Sequence, residues 1–120
     1  MTDERLPREC RIRRSADFAR IYKRRRSASD GRIVLYGCEN GLSFCRLGLS
    51  VSSRVGNAVV RNRWKRLLRE GFRLRRQAMP PGIDFVVVAR AGCQPELDWI
   101  ADALVRLAGK VAKRLAADPQ

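Results

Sequence analysis

"VGNAVVRNRWKRLLREGFR", residues Val55 to Arg73, carries six basic residues and one acid on an apolar repeat that a helix gathers onto one side. With Arg61 at the origin and about 100° per residue, Lys65, Arg76, Arg69, Asn62, Arg73 and Arg66 fall between about 40° and 140°. Val60, Trp64, Leu67, Leu68, Gly71 and Leu74 fall between about 220° and 340°, on the opposite side. Arg63 stands apart, beside Glu70. The helix is expected to continue to about Gln77, where "MPPG" (Met79 to Gly82) stops it. Trp64 is read as a core anchor rather than a platform for stacking bases.

Solvated helix faces normally mix signs, with acids and bases paired at i, i+4. Here Arg61–Lys65, Lys65–Arg69 and Arg69–Arg73 are like-charged, each pair costing about 0.2–0.5 kcal/mol in an isolated helix. A face that accepts this repeatedly is expected to meet an anionic partner, for which phosphate is the natural candidate. Asn62 can donate and accept, so it suits a base edge or a ribose 2′-hydroxyl better than a bare phosphate. Gly56 and Asn57 precede the helix and tolerate left-handed backbone. For Gly56, a turn residue and a point of close approach to another backbone are both open readings.

Working outward, a short helix is expected with Ser15 as N-cap and Asp17 in its first turn. Phe18, Ile21 and Tyr22 form its apolar stripe and "KRRR" (Lys23 to Arg26) closes it; "SASDG" reads as a loop. "RIVLYGC" (Arg32 to Cys38) is a strand, and "ENG" (Glu39 to Gly41) predicts a hairpin into a second strand over Ser43–Ser52. That strand alternates. Cys45, Leu47, Leu49 and Val51 face a core, while Phe44, Arg46, Gly48, Ser50 and Ser52 face the other way. The second set is either an open face for a ligand backbone or a solvent-washed surface. "IDFVVVAR" (Ile83 to Arg90) is apolar on both faces, as an internal strand would be. A final structural helix spans about Glu96 to Leu115, with its stripe on Leu97, Ile100, Ala101, Leu104, Leu107, Ala108, Val111 and Leu115. The order α-β-β-α-β-α predicts a single-domain α+β sandwich over residues 1–120, a mostly antiparallel sheet of about four strands with three helices. Residues 1–14 and 116–120 are expected to be flexible ends.

The 120 residues hold 26 Lys+Arg against 12 Asp+Glu, a net charge of +14, while 45% apolar content is ordinary for a folded chain. Only four of the basic residues are lysine. A GC-rich genome would raise the arginine share, but arginine also offers a planar fork for phosphates and a face for bases. There is no histidine, which removes Ser-His-Asp, Cys-His and His-based metal catalysis. Cys10, Cys38, Cys45 and Cys93 lack zinc spacing and read as reduced thiols. With no signal peptide and no apolar run of spanning length, a cytoplasmic protein without a membrane partner is expected.

"SRVGNAVVRNRWKRLLREGFR" (Ser53 to Arg73) resembles the arginine-asparagine-arginine signature of the bacterial ribonuclease P protein subunit. The helix with Phe18 and Tyr22, the "VLY" strand ending at Tyr36, "LGLSVS" and "FVVVAR" are similar in order and spacing, so the resemblance covers roughly residues 8 to 112. It implies a small protein cofactor for a catalytic RNA, the two together removing the 5′ leader from precursor tRNA. It implies that Arg54, Asn57, Arg61, Asn62, Arg63, Lys65, Arg66 and Arg69 contact the catalytic RNA. It also implies that Phe18, Tyr22, Tyr36, Arg46, Ser50 and Ser52 line a cleft for the single-stranded leader; the residues alone favour a core stripe for Phe18 and Tyr22. A left-handed crossover around the basic helix is implied as well. Tyr22 stands where Phe is frequent, and Trp64 where an aliphatic residue is usual.

On this reading no protein side chain is catalytic and no metal is bound by the protein. Mg²⁺ held mainly by the RNA hydrolyses the phosphodiester, and no protein partner is required. The alternative is a purely structural RNA binder of the ribosomal-protein kind. A protein-only nuclease would need converging carboxylates, and Asp17, Asp30, Asp84 and Asp102 are dispersed in sequence.

Overall fold

A computed structural model describes residues 6–119. Helix α1 spans Ser15–Arg24, followed by strands β1 (Ser27–Ser29), β2 (Ile33–Glu39) and β3 (Arg46–Ser50). Helix α2 (Ala58–Leu74), strand β4 (Ile83–Ala89) and helix α3 (Leu97–Ala117) complete the chain. The four strands form one sheet in the order β1-β2-β4-β3, with β1–β2 and β2–β4 antiparallel and β3–β4 parallel. The expected α+β architecture of three helices on a mostly antiparallel sheet is present. The crossover through α2 joins the two adjacent parallel strands.

Two local expectations need correction. "ENG" does turn the chain: Gly41 has φ 72°, and the Asn40 side chain accepts from the Leu42 amide at 2.8 Å and donates to the Phe44 carbonyl at 3.1 Å. It does not make a hairpin, because β4 enters between β2 and β3. Apart from half-buried Val88, β4 is buried along its whole length, and a strand apolar on both faces gains most at the centre of the sheet. The real hairpin is "SASDG", read above as a loop. Ser27–Ser29 pair with β2, and the Asp30 carboxylate accepts from the Arg32 and Ile33 amides in the turn. Ser-Ala-Ser has little strand propensity, so pairing with a strong neighbour decides its conformation.

The termini also differ from expectation. Residues 6–14 pack along the free edge of β3. Leu6, Cys10 and Ile12 are buried, and the Ile12 amide donates to the Leu47 carbonyl at 2.9 Å. At the other end α3 continues through Ala117, and Asp118 is held by Arg24 and Arg26. Residues 1–5 and 120 of the expected flexible ends lie outside the described residues. Ser15 is the first residue of α1 rather than its N-cap; the Arg14 carbonyl accepts the first helical bonds, from Asp17 and Phe18.

One sheet face, carrying Leu35, Leu47, Phe85 and Val87, packs on α2 and α3 and holds the main core. Trp64 is fully buried there, edge-on to Trp99 at 5.9 Å. The buried seam of α2 runs through Trp64, Leu68, Gly71 and Phe72, while Val60 and Leu74, assigned above to the apolar face, are exposed. Gly71 accounts for this roll of about 50°. A Cβ on Gly71 would meet Ile100 Cγ2 at 2.9 Å, so its absence lets α3 close onto that side of α2.

The opposite face is set by register. Three rows cross it: Cys38, Asp84 and Arg46; Tyr36, Val86 and Gly48; Val34, Val88 and Ser50. Helix α1 docks over the first two through Ile21 and Phe18. Asp84 is fully buried in the central strand. Its carboxylate accepts from Arg46 Nε at 2.8 Å and Arg46 Nη2 at 2.6 Å, from Asn40 Nδ2 at 2.9 Å, and from Arg20 Nη2. Arg20 comes from α1, so this ion group fastens the helix to the sheet.

Burial alone would raise the Asp84 carboxyl, but the hydrogen bonds from Arg46, Asn40 and Arg20 outweigh it and hold the group below the usual range. A carboxyl depressed in the folded state contributes stability fully above its unfolded value of about 3.9 and loses it as pH falls toward the folded value. Asp84→Asn is therefore expected to cost about 3 kcal/mol at pH 7, since it leaves two arginines without their partner. Urea midpoints measured between pH 7 and pH 2 should fall less steeply for the variant than for the parent protein. Equal slopes would mean that Asp84 is not the group titrating.

Candidate RNA interface

Asn57 caps α2, its Oδ1 accepting from the Val60 amide at 3.0 Å. This gives it a structural duty in addition to any contact outside the chain. Gly56, for which two readings were open, is required from within: a Cβ there would meet Val60 Cβ at 2.8 Å. From this cap the helix presents Asn62, Arg63, Arg66 and Arg69 as exposed residues, with Arg61 and Lys65 half-buried. Arg54 is exposed in the turn before the helix. Arg61 Nε is buried without an acceptor, as is the indole nitrogen of Trp64.

What distinguishes α2 is the lack of internal neutralisation. Glu70 is its one acid, and it is taken by Arg73. Six arginines elsewhere are matched: Arg20 and Arg46 with Asp84, Arg24 with Glu39, Arg26 with Asp118, and Arg32 and Arg106 with Asp30. Among the described residues, Arg61, Arg63, Lys65, Arg66 and Arg69 form no ion pair. The packed N-terminal segment adds to this surface. Arg11, Arg13, Lys65 and Arg69 line one depression over Leu47 and Leu49. Arg69 is pushed below the ordinary arginine range by partial burial and then by repulsion from Arg11 and Arg13. The sequence reading missed this second contributor, because residues 1–14 carried no periodic signal.

The second set of predicted residues meets on the α1 face of the sheet. Tyr22 and Tyr36 are edge-on at 5.0 Å, and Phe18 lies 6.4 Å from Tyr22. Phe18 also covers Gly48, where a Cβ would meet Phe18 Cζ at 2.9 Å. The core-stripe and cleft readings are both partly right: Ile21 is fully buried, Phe18 is half-buried, and Tyr22 is 36% exposed at the rim. Beyond them the row Val34, Val88 and Ser50 is left half-open as a floor, with Ser52 exposed just past the strand. Arg46 is placed differently from its neighbours in the prediction. It lies at the far end of this face with its guanidinium engaged by Asp84, and within 3.8 Å of Asp17.

Dispersed in sequence, Asp17 and Asp84 nevertheless converge in space. Arg20 and Arg46 occupy the position between them that a cation would need. Among the described residues, no three His, Cys, Asp or Glu side chains stand together as metal ligands. The four cysteines are unpaired. No described helix is long and apolar enough to cross a membrane.

Fold and surface together define a small nucleic-acid-binding α+β protein, with a one-signed helix on one side of the molecule and an aromatic-edged cleft on another. The sequence profile of ribonuclease P matches residues 6–112. The ribonuclease P protein component of Lachnoclostridium phytofermentans is 44% identical over 98 residues, 81% of this chain and 84% of that protein. The solved ribonuclease P protein of Staphylococcus aureus superposes with a TM-score of 0.74 at 38% identity, covering 87% of this chain and 95% of that one. That of Thermotoga maritima superposes with a TM-score of 0.64 at 29% identity, covering 92% and 98%. The chain belongs to the ribonuclease P protein family. It is thus a subunit of a tRNA-processing ribonucleoprotein nuclease, partnered with the ribonuclease P RNA.

The crowding around Arg69 gives a test on the protein alone. Arg69→Gln is expected to raise the thermal midpoint by roughly 1–3 °C at low salt, since relief of like-charge contacts is worth a few tenths of a kcal/mol. The gain should vanish at high ionic strength, while affinity for polyanionic RNA falls. A midpoint that drops, or a gain that persists in high salt, would contradict the electrostatic reading.

Proposed function

We propose that α2 docks the catalytic RNA through Arg61, Asn62, Arg63, Lys65, Arg66 and Arg69, with Arg54 and Asn57 at its entry. On the other side of the molecule, the cleft between α1 and the sheet holds the single-stranded 5′ leader of precursor tRNA. Phe18, Tyr22 and Tyr36 supply ring surfaces on which bases stack, and Ser50 and Ser52 bond the sugar-phosphate chain. Arg46 contributes positive potential to the cleft while its donors stay on Asp84.

The observation that carries this reading is that Arg61, Arg63, Lys65, Arg66 and Arg69 stand together on one helix whose single acid, Glu70, is taken by Arg73. A helix that keeps its like charges apart from acids is preorganised for phosphates, and each phosphate it neutralises releases condensed counterions. Phosphodiester hydrolysis then falls to Mg²⁺ ions held mainly by the RNA, which supply Lewis-acid charge and an activated water. The protein's part is to hold the leader in register and to screen repulsion between two polyanions. Asp17 and Asp84 remain ligands of Arg20 and Arg46 throughout.

Reconstitution with the catalytic RNA should raise cleavage of a long-leader precursor at low Mg²⁺. No improvement, together with RNA binding that ignores salt, would overturn the proposal. Two substitutions separate the surfaces. Arg66→Ala should weaken binding to the catalytic RNA and lower its log-affinity against log-salt slope by roughly 0.7–0.9. Tyr22→Ala should leave that slope alone and weaken long-leader precursor about tenfold, the loss of one stacked base, with no effect on a leaderless substrate.

A further inference from the structure

At the C-terminal end of α2 lies a depression of about 970 Å³ that the proposed docking helix and the leader cleft leave unused. Its walls are of two kinds. Phe44 and Leu74 provide apolar surface with Met79 buried beneath them, and Arg75 and Arg76 stand with Gln77 where the helix gives way to a short 3-10 turn. Leu74 is 51% exposed and stands on the pocket wall with half-buried Phe44. No acidic side chain lines the depression.

We propose that this pocket takes one unpaired nucleotide of the bound RNA. The base lies against Phe44 and Leu74, above the buried Met79, its phosphate is held by Arg75 and Arg76, and Gln77 reads its edge. Phosphate alone would need only the arginines; the apolar wall calls for a ligand with a flat, weakly hydrated face. An acidic peptide would satisfy the charge, but position favours RNA. Arg69 lies on the same side of α2 as Asn62, Lys65 and Arg66, and the helix ends at Leu74 on the pocket wall, so a strand following α2 for about 18 Å from Asn62 arrives at the pocket. The inference rests on α2 being the RNA-docking helix, and adds a site where the RNA inserts a base instead of lying across the surface.

The chain has two methionines, Met1 and Met79, and two tyrosines, Tyr22 and Tyr36. A full-length sample labelled at methionine methyls and tyrosine rings therefore reports the pocket and the cleft separately. Titrated with a five-residue single-stranded RNA, the Met79 methyl should shift and saturate. Arg75→Ala/Arg76→Ala should reduce the affinity read at the Met79 signal at least fivefold. Leu74→Glu, at a half-exposed residue whose change leaves the core intact, should do the same by placing an acid at the rim. The tyrosine signals should respond as in the parent protein for both variants.

A Met79 methyl that stays still while the tyrosines saturate would overturn the proposal. So would an equal Met79 shift on adding a polyglutamate peptide of the same length, which would mark a general anion or peptide site. Reconstituted cleavage of precursor tRNA by the parent protein is measured in parallel. If cleavage is stimulated and Met79 does not respond, the pocket falls and the docking role of α2 stands. If cleavage is not stimulated while Met79 shifts, the assigned role fails and nucleotide binding in the pocket stands.

Discussion

The carboxylate of Asp84 is the constraint on which the rest of the structure hangs. It is fully buried in the central strand, and it gathers Arg46 from β3, Arg20 from α1 and Asn40 from the turn after β2. An isolated charge in that place would be prohibitive; with a forked guanidinium and two further donors it becomes a three-way joint. The joint sets the pitch of α1 against the sheet. That pitch decides how far Phe18 reaches over Gly48, and how much of the row Val34, Val88 and Ser50 stays open.

Charge is thereby divided into two populations. Arginines facing the sheet and the ends of α1 and α3 are consumed by Asp84, Glu39, Asp30 and Asp118, and they hold the fold. Among the described residues, Arg61, Arg63, Arg66 and Arg69 on α2, and Arg11 and Arg13 on the N-terminal segment beside it, are in no ion pair, and partial burial followed by repulsion from Arg11 and Arg13 depresses Arg69. A net charge of +14 is therefore not spread evenly as a solubilising coat. Arg11, Arg13, Lys65 and Arg69 line one depression where α2 and the N-terminal segment meet, and the aromatic rings stand on the opposite face of the sheet.

Much of this was legible in the sequence. The 3.6-residue repeat of Val55–Arg73 identified the cationic arc, and the core position of Trp64, without any coordinates. The alternation of "SFCRLGLSVS" sorted Leu47 from Gly48 correctly. What could not be read was which strand pairs with which. "ENG" is a sound turn, yet β4 displaces the hairpin, because apolar burial on both faces outweighs proximity in sequence. The roll of α2 that exposes Val60 and Leu74 depends on Gly71 meeting Ile100 across a helix pair. Period analysis of one helix carries no information about its partner. Asp84 was seen only as a scattered acid, since a single charge inside an apolar strand gives no hint of its three donors. Arg46 was grouped with cleft residues for the same reason.

The central claim is that two nucleic-acid elements occupy two different faces of one small protein. Directed hydroxyl-radical cleavage tests it most directly. Cys10, Cys38 and Cys45 are buried, so replacing the half-buried Cys93 by Ser leaves a background on which one new cysteine can carry an iron chelate. In the assembled complex with precursor tRNA, a tether at Arg66→Cys should cut the catalytic RNA and spare the leader. A tether at Val34→Cys should cut the leader within a few nucleotides of the cleavage site and spare the RNA that the first one cut. Overlapping cuts from the two positions, or leader cuts from position 66, would contradict the account.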